Sequence, residues 1–206
     1  MYARSTTIRG NPSAMDDGIA YMRDEAMPAI QEMDGCIGLS MLVDRRAGHC
    51  IATSAWRDEE AMRASAERIH PMRERLVQTF GGEPEVQEWE IAVLHRMHPT
   101  GDGGGARLTW VIMDPSRMDE LVDGFRMSLM PRLEEMPGFR GTSLMVDRRN
   151  GQAVGTVAFE SPAAMEATRE RARGLRGEFT AAMRAEVTDV AEMEVALAHL
   201  RVPETV

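Results

Sequence analysis

Apolar residues recur every three or four positions in four long stretches of the chain, and they alternate with polar residues in the stretches between them. The first spacing is that of an amphipathic helix, and the second is that of a strand with one buried face. Together the two spacings predict the order strand, helix, strand, strand, helix, strand. The second half of the chain predicts the same order again, so the pattern indicates two similar halves.

The predicted elements are bounded by residues that favour turns and helix caps. In the first half they are a strand ending at Arg9, a helix from Asn11-Pro12 to Glu32, strands 36–44 and 49–57, a helix from Asp58, and a strand 86–96. In the second half they are a strand 108–113, a helix from Asp114-Pro115, strands 139–147 and 152–160, a helix from Ser161, and a strand 190–200. An Asn or Asp before Pro is typical of a helix start.

A repeated passage relates the two halves. Gly35-Cys-Ile-Gly-Leu-Ser-Met-Leu-Val-Asp-Arg-Arg returns 103 residues later as Gly138-Phe-Arg-Gly-Thr-Ser-Leu-Met-Val-Asp-Arg-Arg, and 19 of 42 positions are identical between 27–68 and 130–171. A period of this length indicates duplication of a whole domain. We therefore predict a first repeat over 1–97, a glycine-rich linker over 98–106, and a second repeat over 107–201.

The order βαββαβ is that of a ferredoxin-like fold, in which both helices cover one face of a four-stranded sheet. The uncovered face of each sheet needs a partner, and two such sheets in one chain can supply it for each other. The predicted fold class is α+β, with two ferredoxin-like repeats that form an intramolecular pseudo-dimeric α+β barrel.

The chain resembles the antibiotic biosynthesis monooxygenase-like family of the dimeric α+β barrel group. The passage Ile51-Ala-Thr-Ser-Ala-Trp56-Arg-Asp-Glu-Glu-Ala61 looks like the third strand of that family and the helix start that follows, and Val154–Ala164 is its second copy. The resemblance covers nearly the whole chain, once in each half. It implies a ligand cleft between each sheet and its helices.

This resemblance places several residues near such a cleft. Trp56 and its counterpart Phe159 end the third strands, where they would form either an aromatic wall for a planar ligand or part of the core. We add Met62, Met165 and Trp110 to the predicted ligand pocket.

His70 is the candidate catalytic residue. It precedes Pro71, which disfavours helix at the residue before it, and Arg173-Gly174 stands at the same place in the second half. We expect a break in the second helix of each half, with His70 or Arg173 at the lip of a pocket. The alternative is an exposed residue at a kink. Because the two copies differ at these positions, we expect the two clefts to be unequal and the first to be the functional one.

Three functions fit the resemblance. The first is a cofactor-free monooxygenase that acts on a small aromatic or polyketide-like molecule, with His70 as the base. The second is a non-catalytic barrel that binds a small molecule or serves a structural role. The third is a haem-binding or haem-degrading protein, although the first strands offer Thr6, Thr7, Thr109 and Trp110 instead of the Asn that haem-degrading relatives use.

Composition limits the partners. The chain of 206 residues has a net charge of −9, which opposes non-specific binding to nucleic acid. It has no apolar run of the length that spans a membrane and no secretory signal, so we expect a cytoplasmic protein with neither nucleic-acid nor membrane partners. We expect a monomer with an internal pseudo-dimer, or a dimer of such monomers.

Neither a metal nor a cofactor is expected. Cys36 and Cys50 are too far apart along the predicted hairpin for a disulfide, so both are predicted to be free thiols. His95 and His199 occupy matching strands, where they are either an acid–base or metal pair or hydrogen-bonded core residues, and no further ligand cluster accompanies them.

Overall fold

The computed structural model of the chain describes residues 1–99 and 101–200. The first half contains β1 (Tyr2–Arg9), α1 (Met15–Tyr21), α2 (Met27–Gln31), β2 (Cys36–Asp44), β3 (His49–Trp56), α3 (Glu59–Ala64), α4 (Ala66–Phe80) and β4 (Pro84–Arg96). The second half contains β5 (Gly105–Ile112), α5 (Met118–Gly124), α6 (Met130–Glu134), β6 (Phe139–Asp147), β7 (Gln152–Phe159), α7 (Pro162–Ala167), α8 (Arg169–Met183) and β8 (Glu186–Leu200). The hydrogen-bonded strand order is β1-β3-β2-β8 around β2 and β5-β7-β6-β4 around β6, and the pairs within each set are antiparallel. The predicted α+β class is confirmed.

Two compact units divide the described residues. Unit 1 contains residues 1–89 and 194–200, and unit 2 contains residues 90–193. The predicted repeats follow chain order, whereas each compact unit includes strand residues from the other half of the chain. In unit 1, the end of β8 pairs with β2; in unit 2, the end of β4 pairs with β6.

Strands β4 and β8, whose ends pair with strands from the other half of the chain, each contain one bulge. Ile91 and Val93 pair with the adjacent residues Met145 and Leu144, so Ala92 is an extra residue in β4. The corresponding extra residue in β8 is Ala196. Because one extra residue reverses the side-chain alternation, β4 does not keep the single face that its uninterrupted alternation predicts. Val93 and His95 therefore do not share a face with Ile91, and β8 changes face at Ala196 in the same way.

Local caps and turns agree with the sequence. Asn11 accepts a hydrogen bond from the backbone N–H of Ser13, and Asp58 accepts one from that of Ala61. In the β2–β3 hairpin, Asp44 Oδ1 accepts from the N–H groups of Arg46 and Ala47 at 2.9 and 3.1 Å. Val43 pairs with Cys50 across this hairpin, and both cysteines are free, as predicted.

The first helix of each half contains a π-helical segment. Residues 22–26 separate α1 from α2, and residues 125–129 separate α5 from α6. Pro28 and Pro131 follow shortly after these segments. Because proline lacks an N–H and its ring crowds the carbonyl four residues earlier, a wider turn before it avoids the clash. Such bulges are frequent at functional sites.

The second helix of each half is interrupted earlier than predicted. The predicted break at His70-Pro71 is wrong, because α4 continues through Pro71, and α8 likewise continues through Gly174. The break falls at Ser65 instead, between α3 and α4. Among the described residues, no helix is long and apolar enough to cross a membrane.

Candidate functional site

A narrow cleft opens in unit 1 between the sheet and the helices that cover it. Strands β1, β2 and β3 form one wall, while α4, α2 and the π-helical segment form the other. The lining residues are Arg4, Thr6, Met22, Ala26, Ile30, Leu39, Ala52, Thr53, Ser54, Ile69, Met72, Arg73 and Leu76. Its volume is about 40 Å³, which is room for about one water molecule. Methionine side chains adapt readily to their surroundings, and Met22 and Met72 are the two methionines of this lining.

Arg4 brings a buried cation from β1 into this cleft, and its side chain is only 4% exposed. Its Nε and Nη2 donate to Glu88 Oε1 at 3.1 and 2.8 Å, and its Nη1 donates to Ser65 Oγ at 3.1 Å. Nη2 also donates to the Met62 carbonyl at 2.9 Å. A buried charge needs such partners to offset its desolvation, and this set holds Arg4 in one position.

The same contacts account for the helix break at Ser65. The Met62 carbonyl on α3 accepts hydrogen bonds from Arg4 Nη2 at 2.9 Å and from Ser65 Oγ at 2.7 Å. Side-chain donors that bond to a helix carbonyl compete with the backbone ladder. The break between α3 and α4 is therefore part of the structure that binds Arg4.

Arg73 on α4 adds a second cation to the cleft. Its Nε is buried and has no hydrogen-bond partner among residues 1–99 and 101–200. Burial lowers the pKa of Arg73, and the neighbouring charge of Arg4 lowers it further, while Glu88 opposes the shift. The cleft therefore contains two guanidinium groups, of which only Arg4 hydrogen-bonds to Glu88 in the structure.

Unit 2 repeats the Arg4 network. Arg107 is also 4% exposed, and its Nε donates to Glu192 Oε1 at 2.8 Å. Its Nη1 donates to Thr168 Oγ1 at 3.2 Å, and its Nη2 donates to the Met165 carbonyl at 2.6 Å. Arg107, Thr168 and Met165 each stand 103 positions after the corresponding residue of unit 1. The duplicated chain has therefore kept this buried arginine in both units.

The side chains over that network differ in unit 2. Three cleft positions have larger counterparts, namely Phe125 for Met22, Leu129 for Ala26 and Phe179 for Leu76. The rings of Phe125 and Phe179 meet edge to face with centroids 6.3 Å apart. The Phe125 ring lies 3.6 Å from the position that a Cβ would take at Gly155 on β7. The ring of Phe125 therefore covers the sheet at Gly155, the position that corresponds to Ala52 in the cleft of unit 1.

A second depression of about 380 Å³ lies at the start of α3 in unit 1 and is open to solvent. Arg57 contacts Asp34 at 3.5 Å and Asp58 at 3.1 Å, and Glu60 and Arg68 also line the depression. Exposed charges and exposed pairs of this kind contribute little and are common on protein surfaces. They do not by themselves indicate a ligand.

Four of the predicted pocket residues lie in the hydrophobic cores. They are Trp56, Met62, Phe159 and Met165, and all are buried. Trp56 is fully buried, and its Nε1 donates to Ser54 Oγ at 3.0 Å. None of the pocket residues predicted for unit 1 is among those that line the cleft. Trp56 instead supports the cleft indirectly, through Ser54.

The other predicted residues lie nearer the surface. The His70 side chain is 63% exposed, and its Nε2 lies 3.3 Å from Glu74 Oε1 on the same helix. Arg173 is also exposed, and Trp110 is half-buried on β5. The structure does not bring these residues together with the cleft lining, and the catalytic role of His70 stays a prediction.

The two strand histidines belong to different units. His95 is paired across the sheet with Thr142 in unit 2, and His199 with Leu39 in unit 1. Nε2 of His95 lies 3.1 Å from Glu134 Oε1. Within the described part of the chain, no group of three or more His, Cys, Asp or Glu side chains could hold a metal ion.

Sequence reasoning missed Arg4 and Arg73, which supply the charge of the cleft. A signal existed for Arg4, because an arginine recurs 103 residues later on a strand whose neighbours are apolar or hydroxyl-bearing. A charged residue retained on both copies of a buried strand indicates a partnered cation. Arg73 lies on a helix with many arginines, and the sequence does not distinguish it from exposed ones.

Comparisons with known proteins give close relatives in sequence. No protein-family model matches the chain. It is 50% identical over 207 residues to "Uncharacterized protein Rv2558" of Mycobacterium tuberculosis H37Rv, covering 100% of this chain and 88% of that protein. It is 48% identical over 206 residues to "Uncharacterized protein Rv2557" of the same organism, covering 100% and 92%.

Solved structures share the fold at low identity. A structure of an anthrone oxidase-like protein has a TM-score of 0.68 at 13% identity, covering 99% of this chain and 94% of that one. A ferredoxin fold protein related to antibiotic biosynthesis monooxygenases, from Listeria monocytogenes, has a TM-score of 0.52 at 7% identity, covering 93% and 94%. The haem-degrading enzyme LmHde of Listeria monocytogenes has a TM-score of 0.55 at 10% identity, covering 94% and 99%.

These likenesses confirm the predicted resemblance at the level of the fold, which by itself does not determine activity. Sequence identity over the whole chain gives the closer relationship. The protein belongs to the family of the Mycobacterium tuberculosis proteins Rv2557 and Rv2558.

Proposed function

We propose that unit 1 binds a small aromatic, polyketide-like molecule in its cleft and oxidises it with O2 without a bound cofactor. The observation that supports this proposal is the cleft itself. Apolar side chains form most of its lining, and its two methionines would have to move to admit an aromatic ring system, because the cleft holds only about 40 Å³. The matching sheet position of unit 2 is covered by the ring of Phe125. Apolar pockets with few polar groups are typical of small-molecule sites. The likeness to an anthrone oxidase-like protein suggests the chemistry to test.

The proposed reaction converts a CH2 group between aromatic rings into a carbonyl. The substrate loses a proton to give a carbanion, which adds O2 and a proton to form a hydroperoxide. Loss of water then breaks the O–O bond, so that one CH2 and one O2 give one C=O and one H2O. Both oxygen-reducing electron pairs come from the substrate, and no further reductant is needed.

The lining residues include neither a carboxylate nor an imidazole. In this proposal the first proton therefore passes to solvent. His70, the base predicted from the sequence, is tested by the variant His70→Ala. Unchanged turnover is expected if solvent takes the proton, and loss of turnover with an intact fold would assign the base to His70.

The test uses anthrone as substrate and an oxygen electrode, with anthraquinone followed by its absorbance. Anthrone also oxidises in buffer, so the rate without protein is subtracted. We expect one O2 consumed for each anthraquinone formed, and loss of the protein-dependent rate when Met22→Phe and Ala26→Leu fill the cleft. A rate equal to that of buffer alone would refute the oxygenase proposal.

A non-catalytic binding protein is the second candidate, and the lack of an acid–base side chain in the cleft favours it. Binding of anthrone without protein-dependent O2 consumption would support this role. Haem has no comparable support, because the cleft lining offers no histidine, cysteine or tyrosine to bind its iron.

A further inference from the structure

We infer that the ligand of the unit 1 cleft carries a negatively charged oxygen, which binds to the guanidinium group of Arg73 beside Arg4. The inference rests on the proposed function, because it assigns a charge to the molecule that occupies the same cleft. It adds a binding residue, Arg73, and narrows the ligand class to aromatic carboxylates and ionised phenols.

The first observation is the unused hydrogen-bonding capacity of Arg73. A guanidinium has five N–H donors and remains charged in proteins. Nε of Arg73 is buried within the unit, yet the described residues provide it with no acceptor. A buried donor without a partner costs free energy, and an anionic ligand oxygen in the cleft would supply the missing acceptor.

The second observation is the imbalance of charge. Glu88 Oε1 already accepts both Nε and Nη2 of Arg4, and the Glu88 side chain is 44% exposed. The cleft lining offers hydroxyl groups from Thr6, Thr53 and Ser54 but no carboxylate. Two cations thus share one carboxylate, which leaves one positive charge for a ligand to neutralise. Ionic hydrogen bonds of this kind are about twice as strong as neutral ones.

Unit 2 offers a matched control. Arg176 stands 103 positions after Arg73, and burial and the charge of Arg107 lower its pKa in the same manner. The ring of Phe179, one turn further along α8, replaces Leu76 of the cleft. A ligand that needs both the space and the cation should therefore depend on Arg73 and be indifferent to Arg176.

The experiment compares naphthalene-2-carboxylate with naphthalene-2-carboxamide by isothermal titration calorimetry at pH 7. The two probes have nearly the same shape and differ in charge. We expect the carboxylate to bind at least about 10-fold more tightly, which corresponds to about 1.4 kcal/mol. The variant Arg73→Met should reduce the difference to about 2-fold, Arg73→Lys should restore part of it, and Arg176→Met should leave it unchanged.

A titration with 2-naphthol, which is neutral at pH 7, tests whether the negatively charged oxygen of the ligand can belong to an ionised phenol as well as to a carboxylate. Release of one proton on binding, measured in buffers of different ionisation enthalpy, would show that the cleft takes an ionised phenol. Weak binding without proton release would restrict the class to carboxylates.

The outcomes distinguish this inference from the proposed function. If the carboxamide binds as tightly as the carboxylate, the anion inference is overturned while aromatic binding stands. A preference for the carboxylate that survives in Arg73→Met would overturn the role of Arg73. If neither probe binds, the proposed binding function fails and the inference fails with it.

Discussion

The two units have the same buried arginine and different side chains above it. In unit 1, Arg4 lies under a cleft lined by methionines and small residues; in unit 2, Arg107 lies under the paired rings of Phe125 and Phe179. The network around each arginine uses a strand carboxylate, a helix hydroxyl and a helix carbonyl. Both units therefore use the arginine in the same network, whereas the side chains that cover the sheet differ between them.

The largest difference in stability between the two units is expected when the side chain that packs on the sheet is truncated, at Phe125 in unit 2 and at Met22 in unit 1. Phe125→Ala should lower the free energy of unfolding by about 3–5 kcal/mol, because a buried ring leaves a large cavity. Met22→Ala in unit 1 should cost about 2 kcal/mol, since that residue already borders open space and its neighbours can adjust. Urea unfolding followed by circular dichroism measures both values.

Equal losses in those two variants would contradict the idea that Phe125 is packed more tightly against its sheet than Met22. Leu121→Ala is a suitable reference, because Leu121 is buried in the core of unit 2 and is not one of the positions compared.

Removal of the arginines should have a smaller and more similar effect in the two units. Arg4→Met and Arg107→Met should each destabilise by about 1–3 kcal/mol, because they remove an ionic hydrogen bond from a carboxylate and one of the two donors to a helix carbonyl. The two losses should be similar, because Glu88 is 44% exposed and regains water, whereas the less exposed Glu192 keeps Arg169 as a partner. A neutral result for both would refute the structural role of the network.

Filling the cleft tests its accessibility directly. The double variant Met22→Phe, Ala26→Leu gives unit 1 the residues of unit 2, and it should weaken binding of naphthalene-2-carboxylate by about 10-fold or more. Overpacking of this kind costs about 1–3 kcal/mol, so the fold should remain. Calorimetric titration measures the binding, and the reverse change Phe125→Met in unit 2 is the control that should leave it unaltered. Undiminished binding would place the ligand elsewhere.

The smallest expected difference between the units concerns thiol reactivity, because both cysteines, Cys36 and Cys50, lie in unit 1. Phe139 and Ala153 replace Cys36 and Cys50 at the matching positions of unit 2. Burial raises the pKa of Cys50 to about 12 and also raises that of Cys36. Since the thiolate is the reactive form, a pKa of about 12 leaves roughly one Cys50 in 10,000 ionised at pH 8.

We therefore expect Cys50 to resist a thiol reagent in the native protein and Cys36 to react slowly. Mass spectrometry after brief labelling would show which cysteine is modified, and urea should expose both. Rapid native labelling of Cys50 would mean that unit 1 opens more readily than its packing indicates.

Much of the fold could be predicted from the chain, because its determinants are local. The Asn11 and Asp58 caps, the Asp44 turn and the two free thiols follow from nearby residues. The bulges at Ala92 and Ala196 could not be predicted, since an extra residue within an apolar strand hardly changes the pattern of alternation. The site depended on longer-range contacts. His70 was predicted from a helix break that Pro71 does not produce, whereas the actual break depends on Arg4, which is 61 residues from Ser65.

The exchange of strand ends between the halves has a consequence for synthesis of the protein. Strand β2 of unit 1, which ends at Asp44, completes its hydrogen bonds only with residues from 194 onward, which are translated 150 residues later. Until then, the nascent β2 presents an unpaired edge of the kind that promotes wrong pairing, and the late, distant partner slows closure. The glycine-rich passage at 101–105 is translated within this interval. We expect the rate at which the second half emerges to influence the yield of native protein more than the stability of the first half does.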